Sequence, residues 1–301
     1  STGKSGWGAS PYYYKVNVSD EDNDTVTVYF WLNSSQTGWQ WILADQQSVN
    51  NTIQEQQITF TLDYTIDNIT TWYFKFNATD SHNNKAETSV NWHDVTKDTI
   101  SIEHASGDGA SVLREGLNIV ELSVRIWDYD NQSYTTLIPL SEVHLWITNN
   151  SEWIEEFEDK NSTHYYKQFD PDCNYEAGLQ TWLYNVTNSQ GWYDNTSSNF
   201  SIAIIGTLTA YLDQPNGTVN FTRGDSILLR GNVTDDCLNN VTQATVKFNI
   251  THGNDWFICN AQEEGNGWYN CTWDSSQASA GWYNVTMIVE KGYYINDTYF
   301  K

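Results

Sequence analysis

The sequence predicts an all-β protein built as three antiparallel β-sandwiches in a row, and three observations carry that expectation. Apolar and polar residues alternate in short runs, the period of a strand with one face in a core and one in water. Aromatic residues are abundant, with 15 Trp and 19 Tyr against a single Met, a mix that favours pleated strands over helices. Two sequence signals recur three times in the same order, the mark of a tandem array.

The first signal is an alternating strand that runs into acidic residues. It reads Val16-Asn17-Val18-Ser19-Asp20-Glu21-Asp22, then Val124-Arg125-Ile126-Trp127-Asp128-Tyr129-Asp130, then Gly231-Asn232-Val233-Thr234-Asp235-Asp236, with its Asp20, Asp128 and Asp235 spaced by 108 and 107 positions. The second is a Trp-led strand at Thr71-Trp72-Tyr73-Phe74, Thr181-Trp182-Leu183-Tyr184 and Gly281-Trp282-Tyr283-Asn284-Val285-Thr286, its tryptophans 110 and 100 residues apart. Between the two, each unit holds another period-2 run, led by Val26, Glu142 and Ala244. Gly- and Asn-rich turn signals separate the runs, and no stretch shows a capped helical period. A chain of 301 residues is long for one core. The expected units are 1–96, 97–206 and 207–301.

The Trp-Tyr-x-Val strand and the strand-then-Asp turn resemble the immunoglobulin-like repeats, near relatives of PKD and cadherin-like modules, of archaeal and bacterial surface proteins. The sequon load and the run Gly281 to Thr286 resemble large archaeal S-layer-like glycoproteins. The resemblance implies three immunoglobulin-like sandwiches in an elongated array, with a structural or adhesive role and no catalysis; the Cys…Trp…Cys core of antibody domains is absent. With the first signal ending strand B and the second as strand F, the B–C and F–G turns of each unit lie at its N-terminal pole and the E–F turn at its C-terminal pole. The E–F turn of one unit then faces the B–C turn of the next.

Charge and sequons speak to compartment. Lys and Arg number 14 against 38 Asp and Glu, a net charge of −24, which repels phosphate backbones and anionic lipid and argues against nucleic acid as a partner. Of 32 Asn, 20 stand in N-x-[ST] sequons: Asn17, Asn23, Asn33, Asn50, Asn68, Asn77, Asn131, Asn149, Asn161, Asn185, Asn195, Asn199, Asn216, Asn220, Asn232, Asn240, Asn249, Asn270, Asn284 and Asn296. With 57 Ser and Thr in the chain, chance would make about 6. The excess points to N-linked glycans and hence to an extracellular, cell-surface protein; a merely polar β surface is the alternative. The longest purely apolar stretch is Ile202-Ala203-Ile204-Ile205, so no membrane insertion is expected of this segment. No signal peptide opens the chain and its last residues read as a strand, so a longer parent protein is expected to hold any anchor.

Four cysteines in an exported protein favour two disulfides. Cys259 and Cys271 flank a turn centred on Gly265 and are expected to face each other across a hairpin. Cys173 precedes the second Trp strand and Cys237 follows the third acidic turn, so the pole argument joins them across the junction of the second and third units; pairing of Cys237 inside its own unit is the alternative. Clustered turn carboxylates suit Ca²⁺, and Asp20, Glu21, Asp22, Asp24 and Asp80 form the best candidate for a structural ion. Turn chemistry through local hydrogen bonds is the stronger reading for any single turn. The histidines show no metal-ligand spacing. Glu155-Glu156 and Asp170/Asp172 are carboxylate pairs of the kind a glycosidase uses, but adjacent strand residues point to opposite faces, and no catalytic cofactor or activity is expected. Trp31, Trp72, Trp146, Trp182 and Trp282 are expected in cores. Trp39, Trp41, Trp153 and Trp192 are candidates for exposed platforms, with core or glycan-shielded packing as the stronger alternative.

The expected role is that of a structural surface glycoprotein whose copies build a layer or filament. The alternative is an adhesin or carbohydrate-binding module whose aromatic platforms take surface glycans.

Overall fold

The computed structural model describes residues 5–50 and 52–300; the ends of the first and third expected units, residues 1–4 and 301, lie outside them. The chain is all-β, with multiple antiparallel sheets and, among the described residues, only short 3-10 turns besides. Buried apolar side chains gather in three separate clusters. One draws on residues between Ala9 and Val95, one between Ile100 and Ile204, and one between Leu208 and Val289.

The first sandwich contains β1 (Tyr12–Val18), β2 (Val26–Asn33), β3 (Ile42–Val49), β4 (Gln56–Leu62), β5 (Thr70–Asp80), β6 (Lys85–Glu87) and β7 (Asn91–Val95). Among the described residues β1 pairs with β4 alone, while β3, β2 and β5 with β6 and β7 make the facing sheet. Strict alternation in β2 buries Val26, Val28, Phe30 and Leu32 and turns Thr27, Tyr29, Trp31 and Asn33 outward, as period 2 requires.

The second sandwich comprises β8 (Ile100–Ser106), β9 (Ala110–Leu113), β10 (Val120–Asp128), β11 (Ser133–Thr135), β12 (Val143–Asn149), β13 (Glu152–Glu156), β14 (Asp159–Lys160), β15 (Tyr165–Phe169), β16 (Gly178–Val186), β17 (Asn195–Thr196) and the first part of β18 (Phe200–Gln214). The third adds the rest of β18, β19 (Ser226–Asp235), β20 (Thr245–His252), β21 (Asp255–Asn260), β22 (Gln262–Gly265), β23 (Trp268–Asp274), β24 (Asn284–Glu290), β25 (Tyr294–Ile295) and β26 (Asp297–Phe300). The first acidic signal closes β1, β10 and β19 or the turn just after them. In the second and third sandwiches that strand has a neighbour on each side, β8 and β15 around β10, and β18 and β23 around β19.

A boundary at 206/207 falls inside β18. Residues 200–204 of that strand pair with β16 and residues 208–214 with β19, while β9 and β25 run parallel to it across the junction. One strand is thus the last of one sandwich and the first of the next, and no linker intervenes. The sequence of β18 permits this because its buried positions, Ile202, Ile204, Leu208, Ala210 and Leu212, keep one parity from end to end. Within the sandwiches, Tyr165 and Tyr269 are buried on corresponding strands, and each donates its hydroxyl to a carbonyl of the loop between the two sheets, Ile138 at 2.9 Å and Val241 at 3.0 Å. A buried phenol needs such an acceptor.

Candidate functional site

The junction of the second and third sandwiches is bonded in three ways. β18 passes through it. Cys173, in the loop between β15 and β16, is joined to Cys237, just after β19, with a Cα–Cα distance of 5.5 Å. Beside the bridge, Arg114 is 2 % exposed and reaches from the end of β9 into the third sandwich. Its guanidinium donates to Asp235 at 2.7 Å and to Asp236 at 2.8 and 2.9 Å, and also to the Tyr175 carbonyl at 3.0 Å. The bonds to Asp236, followed by those to Asp235, raise the guanidinium's proton affinity further. Burial pushes the Asp236 carboxyl up, but Arg114 and the Thr207 N–H outweigh it and hold it below the usual carboxylate range. Arg114 lies at the inward parity of β9, two residues after buried Val112. A basic residue at a core-facing position is the signal by which the sequence could have marked it.

At the first junction, Trp7 packs against the cores of both the first and second sandwiches. Its indole donates to the Gly191 carbonyl at 2.7 Å, and its ring meets Trp192 edge-on. Asp98 and Asp128 are both buried here. Both oxygens of Asp98 accept from the Gly8 N–H, at 2.9 and 3.0 Å, an approach so close that a Cβ on Gly8 would lie 2.3 Å from the carboxylate. Asp128 accepts from the Trp192 indole and Asp130 from the Thr99 N–H. Burial pushes the Asp98 carboxyl up to about 8 against the pull of Gly8, and the charges of Asp128 and Asp130 add to the rise. Nothing in the local sequence distinguishes Asp98 as buried.

Other expectations need correction. Cys259 and Cys271 are bonded to each other, but not across one hairpin. The turn after Gly265 joins β22 to β23, whereas Cys259 lies on β21 in the opposite sheet, so the bridge ties sheet to sheet. Trp282 is 81 % exposed, not in the core. Val285 opposes Ile250 as Trp182 opposes Ile147, so the third Trp is three positions out of step, and an odd offset reverses the face. Trp72 and Trp182 are buried, Trp31 and Trp146 half-buried on outer faces. Of the proposed platforms, Trp39 and Trp153 are exposed, Trp41 is half-buried under Lys75, and Trp192 is buried.

The acidic residues of the first unit gather at one pole, where His82 contacts Asp24. Asp20 accepts from the backbone of Asp22 and Asp24, and Asp80 from that of His82 and Asn84, so these two carboxylates act as turn caps; Glu21 is exposed. Among the described residues, the one group of three potential ligand residues with converging atoms is Asp235, Asp236 and Cys237. There the sulfur is in the disulfide and the carboxylates face Arg114. Glu155 pairs with His144, while Glu156 accepts from Tyr175 and pairs with Lys167, so the two carboxylates are engaged apart. Asp172 accepts from Asn174 in its own loop. A cleft lined by Thr148, Trp153, Leu179, Gln180 and Asn199, among others, presents no carboxylate or histidine.

None of the 20 sequon asparagines is buried. They stand on outer strand faces and in turns of all three sandwiches.

Among curated proteins none matches the chain. The chain resembles the solved structure of a tetra-tandem repeat in the extending region of a large adhesion protein, at 13% identity and a TM-score of 0.46, covering 97% of this chain and 69% of that one. It also resembles fibronectin(III)-like modules of Clostridium thermocellum CbhA, at 12% identity and a TM-score of 0.28, covering 67% of this chain and 92% of that one. Residues 209–287, which lie within the third sandwich, match the family described as a bacterial Ig domain.

Proposed function

We propose that the protein is a structural glycoprotein of the cell exterior, a stiff segment of a surface layer or filament of the archaeal S-layer type. The observation that carries this reading is the junction between the second and third sandwiches. A shared strand, a disulfide and a buried Arg–Asp cluster at one joint are what a load-transmitting rod requires and what a flexible string of binding modules does not. The disulfides fit an oxidising compartment, and the outward sequons fit a sugar coat. Self-association has a physical basis in β1. Its edge away from β4 faces no strand among the described residues, and an open edge is a template for a strand from another copy. Purified protein at rising concentration is expected to form ordered polymers visible by electron microscopy. A monodisperse monomer throughout would sink the self-association reading.

The adhesin reading keeps one observation of its own. Trp39 and Trp92 are each 62 % exposed on the outer side of the first sandwich, with Tyr73 packed against Trp39. Saturable binding of a free glycan by the monomer, lost on Trp39→Ala, is its test.

A further inference from the structure

We propose that the indoles of Trp31 and Trp146 are seats for the first sugar of the chain's own N-glycans, attached at Asn77 and Asn185. The inference rests on the glycoprotein reading and adds to it where the sugar lies and what holds it.

The same arrangement occurs twice. Asn77 on β5 stands opposite Tyr29 of β2, with Trp31 two residues further along the same outward face. Asn185 on β16 stands opposite His144 of β12, with Trp146 in the same relation. Such diagonal neighbours are within reach of an aromatic side chain. The Trp31 indole donates to Asn77 Oδ1 at 2.8 Å, and the Trp146 indole to Asn185 Oδ1 at 3.2 Å. An indole nitrogen only donates, so the amide oxygen must face it. Neither Nδ2 has a partner among the described residues, whereas Nδ2 of the sequon Asn149 donates to the Asn174 carbonyl and that of Asn195 to the Ile100 carbonyl.

That orientation suits the modification. In glycosyl transfer, the C1–O bond to the phosphate of an activated sugar donor breaks, the C1–Nδ2 bond forms, and the amide loses one proton. Oδ1 is untouched, so the indole bond survives and fixes the amide beside a half-buried ring. A pyranose at Nδ2 is then held beside the edge of the indole, where it shields the ring's apolar area from water. Thr79 and Thr187 complete the two sequons. The third sandwich lacks the device: Asn249 faces Ile258 and Thr286, and Trp256 and Trp282 stay largely exposed.

The test compares the native glycoprotein with Thr79→Val and Thr187→Val, which abolish each sequon but keep the asparagine and its indole bond. N-bromosuccinimide oxidation is followed tryptophan by tryptophan with peptide mass spectrometry. Trp31 is expected to react several-fold faster in T79V and Trp146 several-fold faster in T187V, with Trp256 and Trp282 unchanged in both. Asn77→Gln and Asn185→Gln repeat the measurement if a valine variant folds poorly. Glycans present on Asn77 and Asn185 with unchanged indole rates would overturn the seat while leaving the glycoprotein reading intact. Bare asparagines at all sequons of the native protein would overturn both.

Discussion

Arg114 holds two carboxylates at a place where its own side chain is 1 % exposed and that of Asp235 is 3 % exposed. Removing one member of such a cluster strands the others in a low-dielectric site, so Arg114→Met is expected to cost about 3–5 kcal/mol in denaturant unfolding. Adding Asp235→Asn and Asp236→Asn to that variant should restore much of the loss, because the stranded charge is then gone. Asp98 carries the opposite kind of stress. Its folded-state pKa of about 8 lies above the usual value, so its contribution to stability is full below about pH 4 and falls as pH rises through 8. Burial holds His93 down to about 4, and its contribution, full above the ordinary histidine pKa, is lost as pH falls through 4. Asp98→Asn should therefore flatten the decline of melting temperature between pH 5 and 8 (approximate bounds set by the Asp98 shift) without altering the acid limb that His93 shapes. An unchanged profile would show that the carboxylate is not the titrating group. Trp282→Ala should stay within about 0.5 kcal/mol of the parent, whereas Trp182→Ala should lose about 3–5 kcal/mol.

At the scale of elements, β18 makes the second and third sandwiches one cooperative body, since neither can release its share of the strand without fraying the other. Inserting Gly-Gly between Gly206 and Thr207, where the pairing passes from β16 to β19, should split a single calorimetric transition into two. Separate transitions for the second and third sandwiches in the unaltered protein would contradict the coupling. The Cys173–Cys237 bridge restrains the same body from its flank. For a sequence separation of 64, loop entropy assigns it about 4 kcal/mol, to be read from the C173S/C237S double variant. β1 is the counterpart at the other end, a strand with one bonded edge and one free among the described residues.

For the whole molecule, both joints are closed by contacts the chain itself supplies: Trp7 between two cores at one, and Arg114, the disulfide and β18 at the other. Small-angle scattering should report a single stiff shape whose profile survives removal of divalent cations, because none of these contacts uses one. A chain that loosens on chelation would contradict this account of the joints.

The sequence by itself determined the strand-rich architecture, the threefold recurrence, the excess of sequons and the pole-to-pole logic that brings Cys173 near Cys237, because alternation and spacing along a chain are local quantities. It misled where parity mattered, as at Trp282, since a shift of a few positions in a motif leaves its letters intact and reverses the face. What only the tertiary structure decided were the partners: Arg114 against Asp235 and Asp236, Trp7 between two cores, the Asn77 and Asn185 amides on their indoles, and a strand that belongs to two sandwiches. Each unites residues far apart along the chain, and the desolvation and hydrogen bonding that make such pairs matter exist only once folding has brought them together.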